Sequence, residues 1–224
     1  MAGPFGAITS TVYITGTATA LTGACDSVSS KVYHVTDATQ KVLDPDTAIV
    51  VSDGGGVVAA TAYTIDYMFG VITFNNAPSG TVTIAGKYLP LWAVATARGY
   101  EINDETELPD TTVFHATETC QQCMPTTRDC SGSLTRLDAG EIDYDTGGGS
   151  VKLRDLLIAA TPKVLSITFG SSALTWRGMV FFDSDSIKID VKGVIEGTIN
   201  WSVCRSTAAT IDSGSVCAWG YSED

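Results

Sequence analysis

Residues 187–201 read Ile187-Lys-Ile-Asp-Val-Lys-Gly-Val-Ile-Glu-Gly-Thr-Ile-Asn-Trp201. From Ile187 the odd positions are Ile, Ile, Val, Gly, Ile, Gly, Ile and Trp, and the even ones are mostly polar. That period of two marks a strand with one buried and one wet face. The phase continues across Lys192-Gly193-Val194, where glycine permits the positive φ of a tight reversal. A three-residue loop pairs Val191 with Ile195, Ile189 with Gly197 and Ile187 with Ile199, whereas a two-residue loop would set Ile189 beside Glu196. The stretch predicts a long antiparallel hairpin, and with it a mainly β protein.

The rest of the chain has the same character. Short β-prone runs, Thr11-Val-Tyr-Ile-Thr15, Lys31-Val-Tyr-His-Val-Thr36, Thr47-Ala-Ile-Val-Val-Ser52, Val71-Ile-Thr-Phe74 and Thr81-Val-Thr-Ile-Ala85, alternate with turn signals such as Asp53-Gly-Gly-Gly56. Their spacing predicts a small N-terminal β-sandwich over 1–91, ended by Leu89-Pro90-Leu91-Trp92 because proline removes a ladder donor. A second domain is predicted over 92–206. It carries a long polar arm at 101–130, a strand at Ser131–Leu137 and a strand pair at Lys163–Phe169 and Ala173–Phe182. Between them, Ser150 is placed as the cap of one short α-helix, with Leu153, Leu156, Leu157 and Ala160 on a single stripe and Pro162 at its stop. Residues 207–224 form a Gly/Ser-rich tail.

At 224 residues with 44% apolar content, the chain can bury one large or two small cores. No run of eighteen apolar residues exists, and Met1-Ala-Gly-Pro-Phe-Gly6 lacks the features of a secretory leader, so neither a membrane anchor nor secretion is expected. Formal charge is −12, of which −3 (3 basic, 6 acidic) belongs to residues 1–92 and −9 (10 basic, 19 acidic) to the remainder. An acidic surface argues against a groove that grips phosphates, but it suits DNA that must pass without sticking.

Chemistry-bearing residues are few. His115, Cys120, Cys123 and Cys130 supply an imidazole and three thiolates, a sufficient set for tetrahedral zinc, yet C-x2-C-x6-C lacks the second knuckle of a zinc ribbon. Disulfides in an extracellular particle or free thiols are the alternatives. Cys204 with Cys217, and Cys120 or Cys123 with Cys130, are then the candidate pairs, leaving Cys25 with the remaining member of that trio. A redox role for Cys120–Cys123 is opposed by Pro125, which discourages the helix such a motif needs. Asp183-Ser-Asp185 and Asp44-Pro-Asp46 lack the glycine turn and terminal Glu of a calcium loop. Neither histidine, His34 nor His115, belongs to a triad motif, and Gly54-Gly-Gly56 and Gly147-Gly-Gly149 lack the Lys-Ser/Thr of a phosphate loop. Asp143 and Asp145 share a face if extended, as acidic turns commonly do. Trp92, Trp176, Trp201 and Trp219 read as core or interface anchors. No catalytic, cofactor or metal residue is assigned, and enzymatic activity is not expected.

Taken in order, Tyr100-Glu-Ile102, Pro109-Asp-Thr-Thr-Val-Phe114, Arg128-Asp-Cys-Ser-Gly-Ser-Leu134, Gly147 to Leu157, Trp176-Arg-Gly-Met-Val-Phe-Phe-Asp183 and the closing hairpin resemble tail tube proteins of long-tailed, non-contractile phages over about residues 93–205. Thr64-Ile-Asp-Tyr67 with Gly70-Val-Ile-Thr-Phe74 resembles small β modules common in phage structural proteins. The resemblance implies a barrel-forming β-sandwich and a structural virion protein, made in the host bacterial cytoplasm and located in the tail. It implies hexameric rings of the same chain, stacked into a tube that conducts DNA during ejection. Tail terminator, tape measure and distal tail proteins are the implied partners, with no cofactor. Thr111, Thr112, Val113 and Phe114 are expected to order on assembly, with Asp190, Glu196, Lys188 and Lys192 as candidates for the lumen wall. The alternative is a receptor- or carbohydrate-binding decoration protein of the virion, with the affinity in Thr11–Leu91.

Overall fold

The computed structural model describes residues 11–94, 97–106, 128–137, 144–145, 150–169, 174–189, 195–204 and 217–221. The strands are β1 (Thr11–Thr15), β2 (Thr19–Ser27), β3 (Val32–Val35), β4 (Val50–Ser52), β5 (Tyr63–Asp66), β6 (Val71–Phe74), β7 (Thr83–Tyr88) and β8 (Leu91–Ala93). They continue as β9 (Ala97–Thr106), β10 (Arg128–Leu137), β11 (Tyr144–Asp145), β12 (Ser150–Val151), β13 (Lys163–Thr168), β14 (Leu174–Ile189), β15 (Ile195–Val203) and β16 (Cys217–Tyr221), with the helix α1 at Leu153–Ala159. The protein is mainly β, with antiparallel sheets and, among the described residues, a single α-helix, as the alternation predicts.

Eight strands form the large sheet in the order β8-β1-β13-β14-β15-β10-β9, with β16 added on β14. Strands β13 and β9 are four places apart, roughly 19 Å if the sheet were flat. Yet the rings of Phe169, just past β13, and Tyr100 of β9 meet edge to face at 5.3 Å. The sheet therefore curls over itself and encloses a core of Val12, Ile14, Leu134, Leu165, Ile167, Val180, Phe182 and Ile199, with Trp176 and Trp201 in contact at 5.0 Å. Leu153 and Leu156 of α1 fill the same interior. The helix ends at Ala160, a left-handed residue (φ 46°) whose N–H meets the Leu157 carbonyl, two residues before Pro162. Ser150 is not its cap: it lies in β12 opposite Asp145, and Lys152 occupies the cap position without a side-chain bond.

Six strands, β4-β7-β2-β3-β6-β5, build the smaller body. Strand β2 serves two partners, β7 along Thr19–Ala24 and β3 along Cys25–Ser27. The Tyr63 hydroxyl of one edge strand reaches the Ile49 carbonyl beside the other (3.4 Å), so this sheet also closes on itself, around Leu21, Val35, Leu43, Val51, Ile72, Phe74 and Ile84.

Three further expectations differ from the structure. The boundary at 91 fails at its beginning, because Thr11–Thr15 pairs with β13 and β8 and belongs to the large sheet. The small body is thus an insertion between β1 and β8. Its chain crossings lie side by side, with Gly16 N–H on the Pro90 carbonyl at 2.8 Å. The arm at 101–130 is strand at both ends, in β9 and β10, and only 107–127 fall outside the described residues. The closing hairpin is shifted by two residues: Ile189 pairs with Ile195, Ile187 with Gly197 and Asp185 with Ile199. A bulge at Asp183 keeps Phe182 opposite Trp201, and an even shift preserves every face. The bulge, by changing the phase after Phe182, puts Asp185 on the buried side, where Arg136 holds it, while Ile187 is left 45% exposed.

Candidate assembly surface

Strands β9, β10, β15 and β14 beyond Val180 form a four-stranded half-sheet with two unlike faces. Leu134, Ile199, Trp201 and Phe182 point into the core. On the same side the Arg136 guanidinium gives Nη2 to both Asp185 oxygens (3.2 and 3.0 Å), with side chains 5% and 7% exposed. Arg136 reaches Asp185 across β15 because its neighbour there is Gly197. A Cβ at Gly197 would stand 2.9 Å from Arg136 Nε. One ion pair thereby ties three strands together.

The opposite face carries mostly polar side chains, with the half-buried Phe181 opposite Ser202. Glu101 and Asn103 of β9 lie beside Ser133 and Ser131 of β10, which lie beside Asn200 and Ser202 of β15. Ser184 and Ser186 of β14 follow, opposite Asn200 and Thr198. Asn200 Nδ2 donates to Ser184 Oγ (2.8 Å), and Ser186 Oγ donates to the Thr198 carbonyl (3.3 Å). The bulge residue Asp183 accepts the hydroxyls of Ser202 (3.0 Å) and Ser184 (3.1 Å). Exposed Glu101, Glu105, Asp183 and Glu196 make this face acidic, and Asn103, Ser184, Ser186 and Asn200 are exposed beside them.

Two backbone edges of this half-sheet are open among the described residues. Strand β9 has β10 on one side and no strand on the other. Strand β14 has β15 along Val180–Ile189, but β13 stops opposite Val180, so Phe181–Ile189 has one unpaired edge. Pro162 precedes the first residue of β13 and has no N–H to extend that ladder. Both edges are long, and such edges are templates for a further chain.

The residues singled out in the sequence fall as follows. Glu196 is exposed on the polar face, and Lys188 pairs with it in register. Asp190, Lys192, His115, Cys120, Cys123, Asp143, Gly147-Gly-Gly149 and Thr111–Phe114 lie outside the described residues. Asp183 and Asp185 occupy opposite faces, and Asp44 binds Asp46 N–H and the Thr47 hydroxyl of its own turn, so neither acidic pair converges. Among the described residues no group of His, Cys, Asp or Glu has metal-holding geometry, and no helix is long and apolar enough to cross a membrane. His34 is partly buried, its Nε2 3.9 Å from Asp26. Cys25 and Cys204 are free thiols, which corrects the candidate Cys204–Cys217 pair and any pair using Cys25. Burial pushes both thiols up to about 11, with the Asp26 carboxylate adding to the effect at Cys25. Cys130 is buried in the large core. Trp176 and Trp201 are core residues, and Trp92 packs on the core edge.

Sequence reasoning missed the hydroxyl face and the Arg136–Asp185 tie. The first was visible as alternation in Ser131-Gly-Ser-Leu-Thr-Arg136, whose odd positions are hydroxyl residues. The second had no local signal.

No family model matches the chain, and no curated protein does. Among solved structures, chains of tail particles are similar over part of it. One is described as the tail of an empty gene transfer agent particle refined with helical C6 symmetry, at 12% identity, TM-score 0.43, covering 52% of this chain and 84% of that one. Another is described as the virion of a native gene transfer agent particle, at 13% identity, TM-score 0.42, covering 52% and 85%.

Proposed function

We propose that the chain is a structural virion subunit that polymerises through its open sheet edges into the tail tube conducting DNA. The observation that carries this reading is the pair of unlike open edges on one half-sheet. Its four strands alternate in direction, so β9 runs antiparallel to β14. A copy set beside the first by rotation brings its Phe181–Ile189 edge against β9 with antiparallel polarity. Because the two edges differ, the contact is heterologous, and a closing rotation produces a ring without edges. Six copies, the number the sequence resemblance implies, would contribute 24 strands. At ~4.8 Å per strand plus tilt, that barrel is about 35–50 Å across between backbones.

The polar face then lines the passage. Carboxylates at Glu101, Glu105, Asp183 and Glu196, repeated around the ring, repel a polyanion, and the serine, threonine and asparagine side chains hold water instead of phosphates. Rings stack into the tube, with tail terminator, tape measure and distal tail proteins at its ends and core. Electron microscopy of the purified chain tests the reading. Tubes or six-fold rings are expected, whereas particles that stay monomeric or trimeric and bind glycans or host receptors would replace it with the decoration-protein alternative.

A further inference from the structure

The two folded bodies share an interior. Val164 and Ser166 of β13 and Arg177 and Met179 of β14 point away from the large core, and all are buried. Val164 and Met179 form an apolar cluster with Val42 and Met68 of the insertion, walled by Phe69, Leu89 and Leu91. The insertion meets this cluster with the turn Asp66-Tyr-Met-Phe-Gly70. Asp66 shapes that turn: its Oδ1 accepts Met68 N–H (2.9 Å) and Phe69 N–H (3.3 Å), and its carbonyl accepts Gly70 N–H (2.9 Å). Gly70 has φ +64°, and a Cβ there would stand 2.6 Å from the Lys41 carbonyl, so the turn requires glycine.

Into this turn the large sheet inserts a cation. Arg177 Nη1 donates to the Met68 carbonyl (2.7 Å) and Nε to Ser166 Oγ (3.3 Å), with the guanidinium carbon 4.8 Å from the Phe69 ring centre. Burial lowers the Arg177 pKa to about 10, with Asp66 opposing the shift, so the group stays charged at neutral pH. A buried cation held by a carbonyl, a hydroxyl and a ring face is costly unless its partners are fixed in place.

We propose that the Asp66–Gly70 turn and Arg177 form a lock that fixes the inserted module to the large sheet as one rigid body. Beside the apolar cluster, the module is tied by two adjacent chain crossings, at residues 16–19 and 88–91, which alone would act as a hinge. The lock holds whatever the module presents at a constant angle to the half-sheet with the open edges, and it does not depend on tube formation.

Hydrogen exchange of the full chain, read by mass spectrometry, tests this with Arg177→Met, which keeps the apolar stem and removes the donors. The junction amides Gly16 and Leu89 should exchange about ten- to a hundredfold faster, the factor expected for losing a charge-assisted hydrogen bond. Amides in the two cores, at Ile84 and Ile199, should keep wild-type protection. Unchanged junction exchange would overturn the lock, and so would equal loosening of both cores, which would make Arg177 an ordinary member of one cooperative core. Should Arg177→Met fail to fold, Phe69→Leu removes the ring but keeps apolar volume. It should speed the junction amides about threefold, and no change there would likewise overturn the proposal.

Discussion

Removing the Asp185 carboxylate should destabilise the half-sheet more than any surface change in it. The Arg136–Asp185 pair is nearly dry, at 5% and 7% side-chain exposure, and joins β10 to β14 through two hydrogen bonds laid across Gly197. Truncating one member of such a pair costs about 3–5 kcal/mol, because the remaining charge keeps its desolvation penalty. Asp185→Ala should therefore lower the unfolding free energy by about 3–5 kcal/mol, a large share of the ~5–15 kcal/mol typical of a folded domain. Replacing both, as Arg136→Met with Asp185→Leu, should bring stability back to within about 1–2 kcal/mol of the parent, since an apolar pair of similar volume suits the site. Gly197→Ala should cost about 1–3 kcal/mol by overpacking, and less in the double variant, where the flexible Met side chain can yield. Urea unfolding at pH 7, followed by fluorescence of Trp176 and Trp201 in the adjoining core, measures all four. An Asp185→Ala cost below about 1 kcal/mol would place the pair among surface ion pairs and rule out a dry tie between β10 and β14.

Gly132→Ala should cost about 1–3 kcal/mol, occasionally more, because a Cβ there would meet the Glu101 backbone carbonyl of β9 and the Trp201 ring. The same urea titration would show it, with β9 loosened from β10. Cys25 and Cys204, with thiols near 11, should alkylate at pH 8 about a hundredfold more slowly than in the unfolded chain, as peptide mass spectrometry of iodoacetamide-treated protein would reveal. Their shift has a sign in stability: the unfolded thiols ionise near 9 and the folded ones near 11, so stability is full below pH 9 and falls as pH rises through 11. Flat stability across that window, measured by urea unfolding, would contradict the burial of these thiols.

Much of the fold is legible where the signal is local. The alternation around Ile195–Trp201 placed a strand with Gly197, Ile199 and Trp201 buried, and it is one. Leu153 and Leu156 at helical spacing placed α1 against the core, and Pro90 marked the exit from the inserted body. Long-range pairing was not legible. Thr11–Thr15 meets Leu165–Thr168 across most of the chain, and nothing in five alternating residues says which strand they join. The hairpin register failed for a related reason. Asp185 meets Arg136 of a different strand, and turn chemistry read from the hairpin alone carries no information on such a partner. The polar face followed the same rule. Its serines were visible one strand at a time, but only the register assembles them into a surface.

Tube formation requires the two free edges of the half-sheet to be completed by copies of the same chain. Hydrogen exchange at single-residue resolution, comparing the isolated subunit with its assembled form, reads both edges at once. In the isolated subunit, the outward amides of Ala97–Thr106 and those of Phe181–Ile189 on the side without β13 should exchange at nearly free rates. In the assembly both sets should be protected together, while Ile199 is slow in each state. An assembly in which either edge still exchanges as freely as in the single chain would exclude edge-to-edge closure of the ring.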